Sequence, residues 1–150
     1  MEELNVLYQE ITNQVLAISD FDWEQIVIKF TKDETHSGIG IYYKINDKYV
    51  FVNDLVNESQ INESEYDSVL FSLADTIIKV KRVTVSNGLS EWNSMIFSMK
   101  RDSKCEVIYS FEEWGENKFF DEVVWRYKYL NIMPSEAFMK YIEGVEQTLL

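Results

Sequence analysis

The segment "IYYKINDKYVF", residues 41–51, constrains the fold of this chain more than any other, because it has the pattern of two strands joined by a tight turn. Large apolar side chains recur at every second position of the first predicted strand, 37–45, which is the period of an extended chain. The second predicted strand covers 48–53. Between them, Asn46-Asp47 are residue types that tolerate positive φ and therefore favour a short hairpin. Since a tight hairpin joins antiparallel strands, this part of the chain predicts an antiparallel sheet.

Other segments show the same two-residue alternation and extend the predicted sheet to about five strands. These segments are 23–32, 94–99 and 105–111.

Helical spacing of apolar residues marks the remaining long segments. The predicted helices cover 2–19, run from Asn62 to about Gly88, begin near Asn117, and begin again at Pro134. Asn62 is followed three residues later by a glutamate, as in a capping box. The predicted order is α-β-β-β-α-β-β-α-α. A chain of 150 residues with this order predicts a single α+β domain over 1–150, with helices packed on an antiparallel sheet.

The third of these helices lies within "FEEWGENKFFDEVVWRYKYLNIMP", residues 111–134, which is rich in both aromatic and acidic residues. Its apolar positions cover most of the helix circumference. Such a helix is usually packed between the body of a domain and a further element, and the last predicted helix could supply that element.

The formal net charge of -12 restricts the class of partner. Nucleic acids and anionic membrane surfaces are disfavoured, because lysines and arginines are needed to neutralise phosphates. A basic protein partner is favoured, since opposite fields accelerate encounter. The N-terminus lacks the pattern of a signal peptide, and Cys105 is the only cysteine, so the expected location is the cytoplasm.

The sequence offers little that could support catalysis. His36 is the only histidine and falls in a predicted turn, and Cys105 falls in a predicted strand, where a thiol commonly packs as a small apolar group. No nucleotide-binding glycine motif occurs, and no acidic pair has the ligand pattern of a calcium loop. The expectation is a protein that is not an enzyme, with no catalytic residues, no cofactor and no metal.

Several segments resemble the YezG-like family of bacterial immunity proteins. They include Trp23-Glu24, the strand "IYYK", the segment "EWNSMIF" and the segment "WRYKYLNIMPSE". Two positions depart from the family pattern: Asn131 stands where the family typically has glycine, and Glu91 stands where proline is common. The resemblance covers nearly the whole chain and carries no catalytic motif.

The resemblance implies an α+β antitoxin that binds and neutralises the nuclease domain of a cognate toxin exported by type VII secretion. The local charge places the expected contact in the acidic stretch, which we define as Glu112, Glu113, Trp114, Glu116, Asp121 and Glu122.

Four alternatives stay open at this point, one of which is an enzyme that uses carboxylates and a bound metal. A second acidic region, free of lysine and arginine, consists of Asp54, Glu58, Glu63, Glu65 and Asp67. The protein could be a monomer or a homodimer. It could also be a non-catalytic adaptor or structural interaction domain with a partner that is not a toxin.

Overall fold

The computed structural model of the chain describes residues 2–32, 37–102, 105–111 and 118–150. Its helices match most of the segments expected from apolar spacing. They are α1 (Glu2–Leu16), α2 (Val52–Asn57), α3 (Glu63–Ser86) and α4 (Lys118–Leu130), followed by a 3-10 helix at Glu136–Ile142.

The strands form one five-stranded sheet in the order β3-β2-β1-β4-β5, and every neighbouring pair is antiparallel. They are β1 (Gln25–Lys32), β2 (Ser37–Ile45), β3 (Lys48–Phe51), β4 (Ser94–Lys100) and β5 (Glu106–Ser110). The α+β class and the antiparallel sheet of about five strands are therefore confirmed.

The predicted hairpin between β2 and β3 has the expected turn. Asn46 has φ 51° and Asp47 has φ 64°, and Ile45 pairs with Lys48 across the turn. Two successive positive φ angles match the twist of the flanking strands, which explains why asparagine and aspartate occupy these two positions.

Helices α1 and α3 cover one face of the sheet. They bury Leu7, Ile11 and Val15 from α1 and Leu73 and Ile77 from α3. These side chains form one core cluster with alternate residues of the central strands: Ile26, Ile28, Phe30, Ile41, Tyr43, Met95, Phe97 and Met99. Asn62 caps α3 as predicted, because its Oδ1 accepts from the Glu65 amide at 3.0 Å.

Helix α4 covers the opposite face of the sheet. A second cluster there contains Val27, Tyr42 and Leu130, with Trp125 and Tyr129 packed against it. The C-terminal segment then runs back along α4, where the amide of Leu150 donates to the Tyr129 carbonyl at 3.0 Å. The sheet is thus the middle of three layers, which explains why β1 is buried on both faces.

Besides small shifts at the end of α1, which stops at Leu16, and at the start of β1, which begins at Gln25, two elements differ from the prediction. The third strand ends at Phe51 instead of residue 53, and α2 follows at once, because Val52 and Leu55 are both buried at helical spacing. The segment after Pro134 is a 3-10 helix, in which Phe138 and Tyr141 stack. A spacing of three residues brings such side chains into line only when the helix has three residues per turn.

Candidate partner-binding surface

The predicted acidic stretch is described by the structure only at its C-terminal end. Glu112, Glu113, Trp114 and Glu116 lie outside the described residues, as does His36. Asp121 and Glu122 are half-buried near the start of α4. Their contacts therefore define the described end of this stretch.

Glu122 forms an ion pair with a buried lysine of the central strand. Its Oε1 accepts from Lys29 Nζ at 2.7 Å, and only 4% of the Lys29 side chain is exposed. Burial lowers the pKa of the Lys29 ammonium, and the Glu122 carboxylate opposes that shift. The ammonium also lies 4.3 Å from the centre of the Trp125 ring. Glu122 thus compensates a buried charge and fixes α4 on the sheet.

Arg126 extends this arrangement along the same side of α4. Its Nε lies 4.0 Å from Glu122 Oε2 and donates to the Tyr42 hydroxyl at 2.8 Å. Its guanidinium also lies 4.5 Å from the centre of the Phe51 ring. Burial raises the pKa of the Tyr42 phenol to about 12, so the hydroxyl is neutral near pH 7. We call Lys29, Tyr42, Glu122 and Arg126 the α4 polar cluster.

Sequence reasoning missed the α4 polar cluster. One signal for it was present, because Lys29 is the only charged residue within the otherwise apolar run "IVIKF". A lysine in such a strand requires a compensating group once both faces are covered. The alternation could not show which of the chain's 26 acidic residues would supply that group.

The second acidic region forms an exposed surface. Its members lie on α2, just beyond it, or in the first two turns of α3, and all are exposed: Asp54, Glu58, Glu63, Glu65 and Asp67. Tyr66 donates from its hydroxyl to Asn53 Oδ1 at 3.2 Å, which links α2 to α3. Among the described residues, no lysine or arginine forms an ion pair with any of the five. We call this set the α2–α3 acidic surface.

Catalytic and metal-binding chemistry has little support in the described part of the chain. Within it, no group of three or more histidine, cysteine, aspartate or glutamate side chains could hold a metal ion. Burial raises the pKa of the half-buried Cys105 thiol, which lowers its thiolate fraction and its reactivity. A groove of about 150 Å³ lies beside β4 and β5, and its lining residues are Gln25, Ile96, Ser98, Lys100, Glu106, Ile108 and Leu150.

Within the described residues, no helix combines the length and the apolar character needed to cross a bilayer.

Comparison with known proteins places the chain among immunity proteins. A sequence model described as "Immunity protein YezG-like" matches residues 4–143. Immunity protein YezG of Bacillus spizizenii is 22% identical over 133 residues, which cover 85% of this chain and 83% of the relative. Type VII secretion system protein EsaG of Staphylococcus aureus is 19% identical, with 97% of this chain and 93% of the relative covered. The resemblance seen in the sequence is therefore confirmed, and the chain belongs to the YezG-like immunity protein family.

Proposed function

We propose that this protein binds a cognate secreted nuclease toxin and neutralises it by covering the nuclease domain. The observation that carries the proposal is the family match over residues 4–143, which gives an immunity role. The name of the staphylococcal relative supports a toxin exported by type VII secretion. The role needs no catalysis by this chain, because occlusion of an active site is a binding event.

Charge supports a nuclease as the target. A nuclease must attract the phosphates of its substrate, so its active-site cleft is expected to be basic. A protein with a net charge of -12 is attracted to such a cleft and repelled by the nucleic acid itself. The acidic antitoxin would then occupy the cleft in which the nuclease binds its anionic substrate.

Two acidic surfaces are candidates for the contact. The first is the acidic stretch Glu112, Glu113, Trp114, Glu116, Asp121 and Glu122, which runs into the first turn of α4. The second is the α2–α3 acidic surface. Because α3 and α4 lie on opposite sides of the sheet, charge reversal can test the two surfaces separately.

The decisive experiment is a titration of DNA degradation by the nuclease domain of the toxin encoded beside this chain's gene. Wild-type protein should inhibit degradation completely at a fixed molar ratio, which would also give the stoichiometry. Absence of both inhibition and binding would contradict the proposal and favour an adaptor with another partner.

Charge-reversal variants then locate the contact. In the acidic stretch, Glu112→Lys, Glu113→Lys and Glu116→Lys should be combined, with Glu122 left intact because its reversal would place a cation against buried Lys29. In the α2–α3 acidic surface, Asp54→Lys, Glu58→Lys and Glu63→Lys form the matched triple variant. The triple at the true contact should slow association, whereas the other should behave more like wild type.

A further inference from the structure

An exposed phenylalanine projects from the outer face of α3. Phe71 is 83% exposed, the largest value among the exposed large apolar residues of the described chain. It lies two positions from both Val69 and Leu73, which are buried, and residues two apart on a helix point in nearly opposite directions. Phe71 therefore points away from the core and contributes nothing to its packing.

The residues around Phe71 leave its ring open and give it a negative border. Asp67 and Asp75 lie one turn away on either side, at i−4 and i+4, and both are exposed. Ser68 and Ala74 occupy the i−3 and i+3 positions with side chains too small to cover the ring. Asp75 is paired with Lys79 at 3.2 Å, whereas Asp67 belongs to the α2–α3 acidic surface.

Phe71 thus continues the α2–α3 acidic surface along the helix. From Lys48 to Lys79 the chain has no other lysine or arginine, so α2 and the N-terminal half of α3 contribute only negative charges. An apolar ring bordered by exposed carboxylates has the composition of a protein-binding surface, because aromatic residues are enriched at the centre of interfaces and charged residues occupy the rim.

We infer that the outer face of α3 is the surface on which the toxin docks, with Phe71 as its apolar anchor. The complementary surface on the partner has a basic rim and a central site for the Phe71 ring. That site is either an apolar pocket or an arginine whose guanidinium stacks on the face of the ring. A second copy of this chain fits the same face less well, because each copy carries a net charge of -12. This inference rests on the proposed function and selects one of its two candidate surfaces.

The test compares Phe71→Ala with Val6→Ala, using the nuclease domain of the toxin encoded beside the gene as the probe. Val6 is a suitable control because it is an apolar residue on the exposed side of α1, 55% accessible. Phe71→Ala should raise the Kd about tenfold or more, whereas Val6→Ala should leave it near the wild-type value. The unfolding midpoint of Phe71→Ala should not fall, since the ring is exposed and alanine favours the helix.

The remaining outcomes separate this inference from the proposed function. If wild type inhibits the nuclease and Phe71→Ala inhibits equally well, the docking surface is elsewhere and only the inference fails. If wild type neither binds nor inhibits, the proposed function and the inference fail together. If Phe71→Ala instead converts a dimer of the free protein into monomers without changing the Kd for the nuclease domain, the face is occupied by a second copy and the inference is overturned.

Discussion

At the scale of single residues, Lys29 and Glu122 give the clearest link between the sequence and the position of α4. A lysine that is 4% exposed in the central strand would be strongly unfavourable without a partner, and Glu122 supplies one at 2.7 Å. The same contact changes the interpretation of the acidic stretch. A carboxylate that is already paired with a buried cation attracts a basic toxin less strongly than an exposed carboxylate of the α2–α3 acidic surface.

A substitution at Glu122 should therefore reduce stability. Glu122→Gln keeps the shape of the side chain but removes the charge opposite Lys29, and we expect a loss of about 1–3 kcal/mol in the free energy of unfolding. Glu10→Gln, an exposed change on α1, should shift it by less than about 0.5 kcal/mol. Urea denaturation measures both values.

Replacing both Lys29 and Glu122 by apolar residues tests whether the buried lysine charge causes the loss of stability. Because the penalty arises from a buried lysine that has lost its 2.7 Å partner, the double variant Lys29→Met with Glu122→Leu should recover much of the stability lost in Glu122→Gln. A Glu122→Gln variant as stable as wild type would show that another group, such as the nearby Asp121 carboxylate, compensates Lys29 in place of Glu122.

At the scale of elements, the end of α4 explains one departure from the family pattern. Asn131 follows the last residue of the helix and has φ 52°, a conformation that glycine adopts freely and asparagine tolerates better than most residues. Its amide donates to the Tyr127 carbonyl at 3.1 Å, and the next amide, of Ile132, donates to the Arg126 carbonyl. Asparagine can therefore end the helix where the family typically has glycine.

Substitutions at Asn131 should follow backbone conformation. Asn131→Gly and Asn131→Ala both lose the hydrogen bond that Asn131 Oδ1 accepts from Gln147 Nε2 at 2.7 Å, so the two variants are compared with each other. Asn131→Gly should be more stable than Asn131→Ala by about 1 kcal/mol, because a Cβ is disfavoured at positive φ. Asn5→Ala, at an exposed position inside α1, is the matched control and should be neutral or stabilising. Thermal unfolding of the three variants distinguishes these outcomes, and equal stability of the glycine and alanine variants at 131 would rule out a conformational role.

The elements also show what the sequence could predict. Alternation and turn residues were sufficient for the hairpin at Asn46-Asp47 and for the five strands, because both signals are local. The six residues of α2 are too few to show a helical period. The Lys29–Glu122 contact joins residues 93 positions apart, so the sequence could show that Lys29 needs a partner but not that Glu122 supplies it. Helical spacing directs Phe71 away from Val69 and Leu73, but the sequence could not show whether another element covers the ring.

At the scale of the whole molecule, the net charge of -12 and its distribution determine how fast the protein associates with its partner. Long-range attraction acts mainly on the rate of encounter, whereas close packing around an anchor such as Phe71 acts mainly on the rate of dissociation. The two contributions are therefore separable by experiment. Salt screens the first over a distance of about 8–10 Å at ordinary ionic strength and affects the second much less.

Association with the nuclease domain should therefore slow as salt is added, while dissociation changes little. In stopped-flow measurements, the logarithm of the association rate constant should fall with ionic strength. The slope of this dependence should be shallower for Asp67→Lys than for Glu2→Lys. Glu2→Lys is the control, because it reverses one charge at the exposed start of α1. Phe71→Ala should keep the wild-type slope and dissociate faster. Equal slopes for wild type, Asp67→Lys and Glu2→Lys would contradict steering through the α2–α3 acidic surface, because a charge reversal near the contact must alter the field that the partner experiences more than one far from it.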